Sequence, residues 1–162
     1  MDLYLIRHAD ALALGERGVK EDSARPLSAK GETQSAAVGK MLQRRGIELD
    51  KLVASPYLRA QQTAQAMLQH LKPAPELLTC AALVPEAKPR QLAEFLQTVE
   101  GKCLGLVGHL PHIALWTGWL IGSKKAQFNF AKAGVAHIAF RDRLDKGLGT
   151  LGWLVTPEWF AG

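Results

Sequence analysis

Short apolar runs that do not alternate with polar residues constrain this chain most. "LYLI" (3–6), "KLVA" (51–54) and "CLGLVG" (103–108) are apolar almost throughout. A strand with one wet face alternates, so near-continuous runs of this kind need cover on both faces, as in a parallel sheet between helices. The segments between them supply the helices. Ser28 is placed as an N-cap for a helix running to Gly46, with Ala37, Val38, Met41 and Leu42 on one face. In "SPYLRAQQTAQAMLQHL" (55–71) Ser55 suits an N-cap and Pro56 the first helical position, and Ala60, Ala64, Met67, Leu68 and Leu71 share a face. "PRQLAEFLQTV" (89–99) has helical spacing, and the helix opening at Pro111 is apolar almost all round. A short strand is expected near 77–83, and "GVAHIAF" (134–140) and "TLGWLV" (150–155) read as two more, suited to an antiparallel pair at an edge. The pattern predicts a single domain over 1–162, an α/β sandwich with a mostly parallel sheet.

Composition excludes several classes. Nearly half of the 162 residues are hydrophobic and none of the segments is of low complexity, which argues against disorder. The net charge of +5 favours acidic partners, but the basic residues are scattered, with only Arg44-Arg45 and Lys124-Lys125 adjacent. No basic stripe interleaved with aromatics marks a nucleic-acid surface, and no nucleic-acid partner is expected. Cys80 and Cys103 stand far apart, which argues for a reducing compartment and against a disulfide framework or thiolate metal site. "LGLVGHLPHIALWTGWLIG" (104–122) is interrupted by His109, Pro111 and His112, so it reads as strand, turn and buried helix, not a membrane span. No signal-peptide pattern opens the sequence, and a cytoplasmic location is expected.

In open sheets of this kind, ligands gather beyond the carboxyl ends of the strands. The first strand runs into Arg7-His8, the second into "SPYLRA" with Arg59 on the following helix, and the run at 103–108 into His109. If these strands are neighbours, two imidazoles and two guanidiniums converge near two helix N-termini, which favour an anion. Arg25, closing the first loop, could fold over the same place. Guanidiniums match phosphate oxygens in bidentate fashion, and fixed positive charge keeps a nearby imidazole neutral. A neutral imidazole beside a bound phosphate is a competent nucleophile toward phosphorus, with the cations stabilising the charge in transfer. Phosphoryl transfer through a phosphohistidine uses all these groups together and calls for no metal and no cofactor. His112, three residues past His109, has no carboxylate or thiolate at ligand spacing to complete a metal set. Asp10 could orient His8 or cap the loop. The four tryptophans, at 116, 119, 153 and 159, suit core or tail packing.

"LYLIRHAD", "RPLSAKG", "SPYLRAQQTA" and "LVGHLPHIA", in this order, resemble the histidine phosphatase superfamily, also called phosphoglycerate-mutase-like. The short chain and the Arg-Pro-Leu-Ser segment are similar to its SixA-type phosphohistidine phosphatase branch. The likeness runs from residue 3 to about 121 and is weaker in "FAKAGVAHIAF". It implies a three-layer α/β/α fold, His8 as phosphate acceptor, and a phosphate pocket of Arg7, Arg59 and His109 with Arg25 contributing. The family signature is Arg-His-Gly, where this chain has Ala9. Larger members place a general-acid carboxylate between the second helix and the last His, and Glu86 in "LVPEAKP" is the candidate here. The small branch does not consistently hold an acid there, and an imidazole leaving group needs less acid help than an alkoxide. The expected substrate is a phosphohistidine on a signalling or phosphotransfer protein. A small phosphorylated metabolite or sugar, or phosphate binding without turnover, are the alternatives, and a monomer is expected.

Overall fold

The computed structural model describes residues 1–160. Six strands form one sheet: β1 (Asp2–Arg7), β2 (Lys51–Ala54), β3 (Glu76–Thr79), β4 (Cys103–Gly108), β5 (Val135–Ala139) and β6 (Thr150–Val155). Their order is β3-β2-β4-β1-β5-β6, with the first four parallel and β5 and β6 antiparallel at one edge. Four helices cover it: α1 (Ala29–Arg44), α2 (Leu58–Leu68), α3 (Pro89–Leu96) and α4 (His112–Leu120).

The two-residue period of the strands explains why unbroken apolar runs were needed. Tyr4, Ile6, Leu52 and Ala54 point into a core shared with Val38, Met41 and Leu42 of α1 and Ala60, Ala64 and Met67 of α2. Leu3, Leu5, Val53, Leu104 and Leu106 point the other way, against Leu92 and Leu96 of α3 and Ile113, Trp116 and Leu120 of α4. Each fully buried aliphatic side chain contributes about 1.5–3 kcal/mol before ordering costs. The result is the expected three-layer sandwich. No described helix is long and apolar enough to cross a membrane.

Several local expectations are corrected. The first helix ends at Arg44, and Gly46 lies beyond it at φ 65°, where its own N–H bonds Gln43. The strand expected at 77–83 is confined to Glu76–Thr79, and a 3-10 turn at Ala81–Leu83 follows. The second helix opens at Leu58 after Tyr57, so Ser55 is not its N-cap and Pro56 is not its first residue. Ser55 is fully buried instead, and its hydroxyl is engaged elsewhere. Trp116 is core as expected, but Trp159 is 82% exposed.

Topology then sets the position of the site. β4 lies between β1 and β2, so the three strands deliver their next residues to one edge. The ladder continues past the strand ends: His8 N–H bonds Gly108 O at 2.9 Å and Ser55 N–H bonds Val107 O at 3.0 Å. Because β5 runs antiparallel to β1, with Val135 opposite Ile6, the residues just before β5 arrive at that same edge.

Candidate active site

His8 is 4% exposed and tied at both ring nitrogens. Nδ1 lies 2.7 Å from Ala9 O, a carbonyl that can only accept, so the proton sits on Nδ1. Nε2 therefore keeps its lone pair, and it accepts from Arg59 Nε at 3.2 Å. Burial, then the charge of Lys132, then His109 and Arg59 hold the His8 pKa down at about 2, so the ring is neutral at physiological pH. His109, 1% exposed, lies beside it with ring centroids 4.9 Å apart. Burial and then Arg59 hold the His109 pKa near 3. Its Nε2 is 2.8 Å from the Ser55 hydroxyl, and its Nδ1 has no partner among the described residues.

The cations follow from the same edge. Arg7, last residue of β1, donates through Nη1 to Phe130 O at 2.7 Å, which leaves its buried Nε unpartnered. Arg59, on the first turn of α2, is 4% exposed and lies 5.1 Å from the Tyr57 ring. Its fork grips Asp22 twice, Nη1 to the backbone oxygen at 2.6 Å and Nη2 to Oδ2 at 2.9 Å. Arg25 reaches the same carboxylate, Nη1 to Asp22 Oδ1 at 3.0 Å, while its Nε is held by Leu12 O at 2.6 Å. Asp22 thus bridges Arg25 and Arg59. Burial alone would raise its pKa, but the hydrogen bonds and charges of Arg25 and Arg59 hold its carboxyl below the usual range.

Glu86 is exposed, and its bond is to the Tyr57 hydroxyl, which donates to Oε2 at 3.4 Å. Tyr57 in turn packs edge-on against His109 at 5.1 Å. Among the described residues no hydrogen bond joins Glu86 to His8, Arg59 or His109. The structure places it on the rim of the site, one side chain removed.

Asp10 resolves as a loop anchor. Its carboxylate accepts from the Ser28 hydroxyl at 2.6 Å, the same hydroxyl that caps α1 by accepting from Gly31 N–H at 3.1 Å. Gly31 permits this approach, since a Cβ there would fall 1.9 Å from Asp10 O. Ala9 is fully buried, its N–H bonding Thr63 Oγ1 at 3.1 Å, and it is not among the residues at positive φ. Alanine is therefore unstrained where the family signature has glycine.

Two site residues went unnoticed in the sequence, Asp22 and Lys132. Lys132 sits on the loop before β5, where Ala133, at φ 56°, bonds His8 O through its N–H at 3.3 Å. A non-glycine residue in the left-handed region marks a backbone held by its surroundings, here at the site itself. Burial, then Arg7 and Arg25, push the Lys132 ammonium down to about 8. The antiparallel pair was the signal that could have found it, because an antiparallel strand beside β1, as β5 is, begins at the edge where β1 ends.

Comparison with known proteins shows the family and the fold. The family model described as the histidine phosphatase superfamily (branch 1) matches residues 3–83, half of the chain and the half that carries Arg7, His8, Arg25 and Arg59. An uncharacterized protein of Picosynechococcus is 32% identical over 98% of both chains. Phosphohistidine phosphatase SixA of Escherichia coli is 27% identical, over 97% of this chain and 94% of its own. The solved structure of the protein histidine phosphatase SixA with tungstate superposes with a TM-score of 0.85 at 23% identity, covering 97% of each chain. The fold is thus the phosphoglycerate-mutase-like fold of SixA, and this chain belongs to the histidine phosphatase superfamily, branch 1.

Proposed function

We propose that this phosphatase removes the phosphoryl group from phosphohistidine on a signalling or phosphotransfer protein, through a phosphoenzyme on His8. The observation that carries the mechanism is the state of His8: a neutral ring whose Nδ1 proton is committed to Ala9 O and whose Nε2 lone pair faces guanidinium charge. A substrate phosphoryl group held by Arg7, Arg25, Arg59 and Lys132 displaces Asp22 from the two guanidiniums and frees Nε2 from the Arg59 Nε–H, so that phosphorus meets the Nε2 lone pair. The P–N bond to His8 forms as the bond to the substrate nitrogen breaks, and the cations carry the charge spread over the other oxygens. Ala9 O stabilises the charge that appears on the His8 ring through the Nδ1 proton. Water then attacks phosphorus, the P–N bond to His8 breaks, and orthophosphate leaves. His109, with Nδ1 free for a phosphate oxygen, completes the pocket.

The position of Glu86 bears on the substrate. Glu86 is exposed and its hydrogen bond is to the Tyr57 hydroxyl, so its contacts do not commit it to protonating a leaving group. An imidazole leaving group depends on such an acid less than a sugar alkoxide does, so phosphohistidine is favoured over phosphate monoesters. Similarity to SixA, named for phosphohistidine, supports the same choice. The test is phosphate release from a histidine-phosphorylated protein and from a panel of sugar and aryl phosphates, with His8→Ala beside wild type. Preferential turnover of phosphohistidine, abolished in the variant, is expected. Preference for the monoesters would move the substrate to small metabolites, and phosphate binding without turnover on any substrate would make the site a binding module.

A further inference from the structure

The helix that reads as apolar all round is not covered all round. The buried face of α4 carries His112, Ile113, Trp116 and Leu120. Its other face, Ala114, Leu115 and Trp119, forms one wall of a groove of about 500 Å³, with Phe128 also lining it. Leu115 is 61% exposed in it. Pro111 lines the groove two residues beyond His109 in sequence, so one end of the groove lies toward the sheet edge that carries the candidate active site. From Pro111 to Trp119 it follows α4 for roughly 12 Å at the helical rise. The charges on the groove are of one sign. Lys124 and Lys146 line it, both exposed, and no carboxylate lines it; Asp145, next to Lys146, pairs with Arg143. Among the described residues neither Lys124 nor Lys146 has an ion-pair partner. An apolar floor about two helical turns long with an unpaired basic rim suits an amphipathic helix with acidic residues along one flank.

We propose that this groove docks such a helix of the phosphorylated protein substrate, next to its phosphohistidine. The proposal rests on the substrate reading above and deepens it: the pocket around His8 supplies chemistry, and the groove on α4 supplies protein selection. A free phosphohistidine amino acid cannot span both, so the two substrates separate the contributions.

The experiment compares kcat/KM for a phosphotransfer protein phosphorylated on a helix-borne histidine with that for free phosphohistidine. It uses wild type, Leu115→Glu, and the double variant Lys124→Glu with Lys146→Glu. All three positions are exposed, which guards against loss of the fold. Each variant is expected to lose at least about tenfold on the protein, through KM, with free phosphohistidine unchanged within about twofold; a tenfold effect is the scale of one good interfacial contact. Equal losses on both substrates, or no loss on either, would overturn the docking proposal while leaving the phosphohistidine reading in place. Wild type turning over neither phosphohistidine substrate would overturn the reading itself and this proposal with it. Self-association or binding to anionic vesicles that depends on Leu115, without an effect on the protein's KM, would assign the groove to a second copy or to a lipid surface and overturn the proposal.

Discussion

Asp22 bonds both Arg25 and Arg59; the proposed mechanism gives those guanidiniums to the phosphoryl group, and Asp22→Asn tests whether the two anions compete. The side-chain exposures are 45% for Asp22, 21% for Arg25 and 4% for Arg59. A half-exposed carboxylate is screened by water, so its two charged contacts count for far less than their lengths of 2.9 and 3.0 Å suggest. About 1 kcal/mol is a fair net figure for displacing it, between an exposed pair and a charge-assisted bond to a buried arginine. Asparagine keeps the shape and an accepting oxygen but removes the charge. Orthophosphate should therefore bind the variant about fivefold tighter. The assay is the inhibition constant of orthophosphate at pH 7, checked by calorimetric titration. Added salt should shrink the difference between variant and wild type, because the competition is partly exposed. An unchanged or weaker affinity would refute the reasoning. It would mean that Asp22 holds Arg59 in its working position and does not occupy the anion's place.

Two further outcomes follow from particular contacts. The Lys132 ammonium, with a pKa near 8, is charged below that pH and neutral above it, so kcat/KM should fall as pH rises through 8. Lys132→Met should lower the plateau and remove that alkaline limb; a limb surviving in the variant would assign it to another group. Gly31→Ala places a Cβ against the Asp10 carbonyl, a backbone atom that cannot step aside without moving the loop carrying His8. A loss of at least about 2 kcal/mol in urea unfolding is expected, and a neutral effect would show that the α1 cap and the Asp10 loop are not rigidly joined.

The legible part of the site was the part contiguous with strands. Arg7, His8 and His109 follow directly from β1 and β4, and Arg59 stands in the first turn of α2, four residues past the buried Ser55 that follows β2. Parallel strands must emerge at one edge, so reading the strands was enough to gather these four. Reading helix starts was less secure. Ser55 has the chemistry of an N-cap, but its burial and its bond to His109 are tertiary facts that override that local preference. Glu86 was reached by family pattern alone, and its loop holds it against Tyr57 at the rim.

The sequence by itself determined the layered architecture, because apolar runs without alternation admit no arrangement but cover on both faces. It determined where Arg7, His8, Arg59 and His109 gather as well, because each is covalently next to an element whose direction the layers dictate. Tertiary structure alone decided what crosses between elements. It seats Asp22 of the first loop between Arg25 and Arg59, brings Lys132 to His8 through the antiparallel β5, and leaves one apolar face of α4 open beside the site. These depend on strand order and loop closure over long sequence separations, and no local spacing encodes a distance that only the folded chain establishes.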